Sequence, residues 1–136
     1  MSIEPGLYAH LSAAAGVSAL VGTRIYPDRL PEAAALPAIT YQRVSTVAQQ
    51  GIGGLAELAS ARVQITAWAD GPGRYSAAKE IAGAVVQSLA GFRGDWGSVP
   101  VSGINYDGSY DIDGDPEAEL AGVGVDMIIW HRGAVP

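Results

Sequence analysis

The chain contains no cysteine, so it holds no disulfide framework and no thiolate metal site, and its redox compartment stays open. It also lacks an apolar run fit to cross a bilayer. The longest uncharged stretch of helical character, Leu11 to Thr23, has 13 residues, short of the roughly 20 a span requires. The N-terminus, Met1-Ser2-Ile3-Glu4-Pro5, has no basic signal-peptide segment. The expectation is a soluble protein with no membrane partner. Charged residues are scarce at 16% while apolar residues reach 49%, which excludes a disordered chain. At 136 residues the whole length, 1–136, reads as a single domain.

Basic charge is short as well, and unevenly placed. Residues 1–94 are close to neutral, whereas residues 95–136 carry eight acids against Arg132 alone. Six of those acids fall between Asp107 and Glu119, and they account for the net charge of −6. Tight DNA binding replaces condensed counterions with Lys and Arg. This chain offers no such footprint, so specific nucleic-acid binding is not expected.

Pattern then gives the elements. Ser2 is a candidate N-cap, and Leu7, Tyr8, Leu11 and Ala15 recur at helical spacing over about residues 4–14, with Gly16 as the stop and one more turn at Val17–Val21. Arg24-Ile25-Tyr26 is a short extended piece. Pro27, Pro31 and Pro37 then forbid helix interior and central strand, so this stretch reads as a loop. Residues 38–46 and 62–69 read as an antiparallel hairpin with a long connection between them. Arg74–Ala90 is the clearest helix, with Ala78, Ile81, Ala82, Val85 and Leu89 as its apolar stripe and Gly91 as its stop. A second hairpin pairs the alternating stretch 104–112 with 123–129. The fold class expected is α+β, a mostly antiparallel sheet of about four to five strands with two main helices packed on one face.

Several motifs invite chemistry and fail on context. Asp111, Asp113 and Asp115 have the first three positions of a calcium loop, but Pro116 stands where the turn glycine belongs and Gly122 where the bidentate glutamate belongs. With Glu117 and Glu119 these residues read as a solvated acidic turn. The run Gly51-Ile52-Gly53-Gly54-Leu55-Ala56 fits a dinucleotide fingerprint with Asp70 at ribose-acid spacing. Only Leu55–Ser60 separates it from the next strand, too little for the crossover helix such a site needs. Gln49, Gln50, Gly51, Ile52, Gly53, Gly54 and Leu55 are therefore a candidate interaction loop. His10 and His131 have no motif around them and read as surface or packing residues, and clustered turn acids are mutually solvated, unlike a tuned acid–base pair. No catalytic residue, cofactor or metal is assigned, and the chain is not read as an enzyme. Trp68, on the polar side of its strand, reads as a residue that another subunit could cover.

The order of these motifs resembles bacteriophage tail completion proteins, and more narrowly the tail-terminator-like family of phage, prophage and gene transfer agent tails. The resemblance is carried by Arg24-Ile25-Tyr26-Pro27-Asp28-Arg29-Leu30-Pro31, by Leu36-Pro37-Ala38-Ile39-Thr40-Tyr41, by Ala61-Arg62-Val63-Gln64-Ile65-Thr66-Ala67-Trp68-Ala69, by the helix from Ala77, and by the last strand from Val125 to Trp130. It spans roughly residues 7–130, and the segment 92–122 fits the pattern least. It implies a structural virion protein of the tail–neck region, assembled in the bacterial host cytoplasm. Such a protein caps the tail tube as a ring, ends tube polymerisation and presents the head–tail joining surface. Its implied partners are further copies of itself (commonly a hexamer in the virion, with a free monomer compatible), the tail-tube protein and a head–neck connector protein. A head-closure protein is the nearest alternative. A small soluble ligand-binding domain or enzyme, with a pocket beside Trp68 or Trp130, is the more distant one.

Overall fold

A computed structural model describes residues 2–51, 54–112, 117 and 119–132. Helix α1 (Glu4–Ala13) begins with Pro5 in its first turn, where a missing N–H costs nothing. Ile3, not Ser2, stands at its N-cap, and no side chain caps it. The break after Ala13 comes from the extended backbone of Ala14 (ψ 115°), so Gly16 lies inside a separate α2 (Ala15–Val21) instead of ending α1. Leu7 and Leu11 of α1 and Val17 and Val21 of α2 are fully buried.

Strand β1 (Ile25–Pro27) is followed by the proline-rich loop and then β2 (Ala38–Gly51) and β3 (Gly54–Asp70). Helix α3 (Arg74–Leu89) buries the stripe expected of it, Ala78, Ile81, Ala82, Val85 and Leu89. Gly91, just past its end at φ 79°, takes the left-handed conformation that closes a helix. Strands β4 (Gly94–Trp96), β5 (Val99–Ile112) and β6 (Leu120–Arg132) complete the chain.

The strands form one six-stranded sheet in the order β1-β2-β3-β6-β5-β4, a mixed half-barrel. This overturns the expected sheet of four to five mostly antiparallel strands carrying two helices on one face. Strand β1 runs parallel to β2, with Ile25 opposite Ile39 and Pro27 opposite Tyr41. Strand β4, not expected from the sequence, pairs antiparallel with β5, Gly94 opposite Val101 and Trp96 opposite Val99. There are three helices among the described residues, and they do not all rest on the sheet. Helix α3 lies across β3 and β6, α2 packs on α3, and α1 touches both β1 and β4. Those two strands stand at opposite edges of the sheet, so the sheet curls around the helices.

The core sits between α3 and one sheet face. Ala61, Val63, Ile65, Ala67 and Ala69 of β3 meet Val123, Val125, Met127 and Ile129 of β6 there, all nearly inaccessible. Burying each larger member contributes roughly 1.5–3 kcal/mol. The second correction concerns residues 47–61. Instead of a long connection, most of this stretch continues the two strands, with Thr46 opposite Ala61 and Ala48 opposite Ala59.

Candidate interaction surface

The helix-free face of the sheet collects the polar and aromatic side chains. Alternation along β3 places Ser60, Arg62, Gln64, Thr66 and Trp68 on it, and the register sets Ile128, Asp126, Gly124 and Gly122 of β6 opposite the last four. Strand β5 contributes Gly108 and Tyr110. The two β6 glycines are filled by rings from either side. A Cβ on Gly122 would lie 2.8 Å from Cζ3 of Trp68, and one on Gly124 would lie 2.6 Å from Cε2 of Tyr110. Each ring is tied down at its polar end. The Trp68 indole donates to Thr40 Oγ1 at 3.0 Å. The Tyr110 hydroxyl donates to Asp126 at 3.0 Å and accepts from the Gln64 amide.

Arg62 completes a polar ladder across β3, β6 and β5. Its Nη1 lies 2.6 Å from Asp107 Oδ2 and 3.6 Å from Asp126 Oδ2. The hydrogen bond to Asp107 holds the guanidinium pKa above its ordinary value. Burial, and then the hydrogen bond to Asp126, raises that of the Tyr110 phenol. Both carboxylates remain partly open to solvent, which is not the desolvated setting of a general acid. The ladder fixes the shape of a surface. It was missed in sequence because its members are 45 and 64 residues apart from Arg62, and only strand register brings them together.

The residues singled out in sequence lie at opposite ends of this face. Gln49, Gln50 and Gly51 belong to β2, and Gly54 and Leu55 to β3, while Ile52 and Gly53 lie outside the described residues. The hairpin runs past the last β3–β6 pair, Leu58 with Arg132. At the other end, Asp111 accepts a hydrogen bond from the Tyr75 hydroxyl at 3.0 Å, and the Glu119 carbonyl accepts from the Gly71 N–H at 3.1 Å. Glu117 is exposed, and Asp113 and Asp115 lie outside the described residues. The 17 residues of β3 put about 55 Å between these ends. The interaction loop and the acidic turn are therefore not parts of one site.

The histidines are packing residues. His10 lies 2.6 Å by Nε2 from the Ser88 carbonyl and edge-on to Phe92, with ring centroids 4.6 Å apart. His131 is buried on the core face, where desolvation, and then the nearby Arg43, lowers its pKa. Among the described residues, no group of three or more His, Asp or Glu side chains could hold a metal ion.

Both long edges of the sheet are largely bare. Strand β1 covers β2 only at Ile39–Tyr41, and β4 covers β5 only at Val99–Val101. Beyond them, Gln42, Val44, Ser45 and Val47 of β2 and Asn105, Tyr106, Asp107 and Ser109 of β5 are exposed. Long exposed edges invite pairing with another chain.

A family model described as tail completion protein gp17 matches residues 5–132. Among solved structures, a chain from the virion of a native gene transfer agent (GTA) particle superimposes with a TM-score of 0.79 at 20% identity, covering 93% of this chain and 92% of that one. At that identity the likeness speaks for the fold. No curated protein matches the chain.

Proposed function

The chain belongs to the tail completion protein gp17 family, and we propose that it is the subunit of a ring that caps the tail tube. As a phage tail structural protein it acts by contact, without catalysis. The ring occupies the growing face of the tube, offers no matching face for further tube subunits, and turns its far side to the head–neck connector. The observation that carries this reading is the family match across nearly the whole length, 5–132. The two bare sheet edges support it, because heterologous contacts around a closed rotation use two different surfaces of each copy. On this reading the single unit 1–136 assembles at the neck in the host cytoplasm. The hairpin end at Gln49–Leu55 meets a partner, and the acidic turn 111–119 faces the lumen, where negative charge lets DNA pass without sticking.

The test is a host strain whose particles lack this protein, with tail lengths measured by negative-stain electron microscopy. A cap predicts tubes of uncontrolled length and heads without tails. Tails of normal length on heads that leak DNA would instead favour the head-closure role. Purified protein that stays monomeric with tail-tube protein present would count against the ring.

A further inference from the structure

The bare edges have a specific geometry. Strand β2 is antiparallel to β3, β3 to β6 and β6 to β5, so β2 and β5 run in opposite directions at opposite sides of the sheet. Rotation about a ring axis preserves strand direction, so the β5 edge of one copy and the β2 edge of the next meet antiparallel, the pairing a sheet favours.

The backbone says which residues point outward. Ile39 N–H donates to the Arg24 carbonyl at 2.9 Å, and the Tyr41 carbonyl accepts from Asp28 N–H at 2.8 Å. Ile39 and Tyr41 thus face away from β3. Continuing the alternation through the irregularity at Val44 gives Arg43, Thr46 and Ala48 as the next outward residues. On β5 the Ile104 carbonyl accepts from Gly91 N–H at 2.9 Å. Continuing through the irregularity at Asp107 gives Tyr106, Ser109 and Asp111.

We propose that neighbouring copies of this chain join edge to edge, Arg43, Thr46 and Ala48 of one copy exchanging backbone hydrogen bonds with Asp111, Ser109 and Tyr106 of the next. This rests on the ring reading above and names the surface that makes the ring. Three features select this register. It places a cation against a carboxylate at Arg43 and Asp111, and two hydroxyls together at Thr46 and Ser109, both favourable cross-strand pairs. It keeps helix-side residues opposite helix-side residues, as a continuous sheet requires. Its ends are fixed, because β1 and Asp28 occupy the β2 edge up to Tyr41, and Gly91 occupies the β5 edge at Ile104. Within one copy Ile112 is level with Ala38 through Gly122 and Trp68. In the joint it faces Gln42, a stagger of four residues, or about 13 Å. Strands in a closed sheet are tilted by such a stagger.

The absence of cysteine makes the test clean. A Thr46→Cys/Ser109→Cys double variant is assembled with tail-tube protein, oxidised and run on a non-reducing denaturing gel. A hydrogen-bonded antiparallel pair sets its Cα atoms about 5.5 Å apart, inside disulfide range. The expected result is a ladder that ends at the closed ring, while either single variant remains monomeric. Rings seen by electron microscopy without cross-links overturn the edge pairing and leave the ring reading standing. Disulfide dimers from a single variant overturn it too, since like edges would then be meeting. Absence of rings with wild-type protein overturns both readings. A Gln42→Cys/Ile112→Cys variant, at the pair next to Arg43–Asp111 in the same joint, gives the same ladder if local substitution at Thr46 disturbs folding.

Discussion

The ring of Trp68 stands where a side chain on Gly122 would stand, with Cζ3 only 2.8 Å from the position of the missing Cβ. The indole is also anchored to Thr40, so it cannot swing away without losing that bond. Gly122→Ala should therefore destabilise the protein by about 1–3 kcal/mol, the usual cost of overpacking. Urea denaturation measures it, and an unchanged midpoint would show that the indole is free to move. Gly124→Ala, against the Tyr110 ring, should behave alike.

Gly83 supplies the opposite case. It lies in the interior of α3 on the exposed side, and a Cβ there meets nothing within 4 Å. Glycine in a helix interior costs roughly 0.5–1 kcal/mol relative to alanine, mostly through backbone entropy. Gly83→Ala should raise the thermal midpoint. Gly83 lines a surface groove with Gly16 and Val17 of α2, and a fall would mean that something the alanine displaces fills it.

Legibility in sequence followed the range of the interaction. The α3 stripe at Ala78, Ile81, Ala82, Val85 and Leu89 was readable because a helix repeats its burial every three to four residues. The alternation of Val63, Ile65 and Ala67 on β3 was readable for the same kind of local reason. Arg24-Ile25-Tyr26 was legible as a short extended piece, but its parallel pairing with β2, and the whole of β4, depend on the edges that β2 and β5 offer, which nothing inside three residues announces. The described residues of 47–61, a stretch rich in alanine and glycine with weak strand preference, are held by pairing with each other and, from Leu58 on, with β6. The Arg62 ladder depends on the same long-range register. Single acids at 107 and 126 carry no mark of it.

The ladder makes a prediction about salt. Arg62 stands between Asp107 and Asp126, and all three side chains are partly exposed. Removing the guanidinium in Arg62→Gln leaves two carboxylates near one another. At about 0.01 M salt, where screening reaches only over roughly 30 Å, their repulsion acts in full; at about 1 M the screening length is roughly 3 Å. The variant should unfold earlier than wild type at low salt and converge with it at high salt. A gap independent of salt would mean that Arg62 acts through packing of its stem.

His131 makes one about pH. It is almost wholly buried, its Nδ1 has no hydrogen-bond partner among the described residues, and burial with Arg43 nearby favours the neutral ring. Its folded pKa is therefore below the ordinary value of about 6.5 that the unfolded chain retains. As pH falls through that value the unfolded state binds the proton first, and stability declines until the folded ring also titrates. Above it both states are neutral and the full stability is present. Wild-type protein should thus lose thermal midpoint between about pH 7 and pH 5, before most carboxylates titrate. His131→Leu removes the titrating group while keeping an apolar side chain in the core, and should flatten that part of the profile. An equal slope in both proteins would assign the loss to groups other than His131.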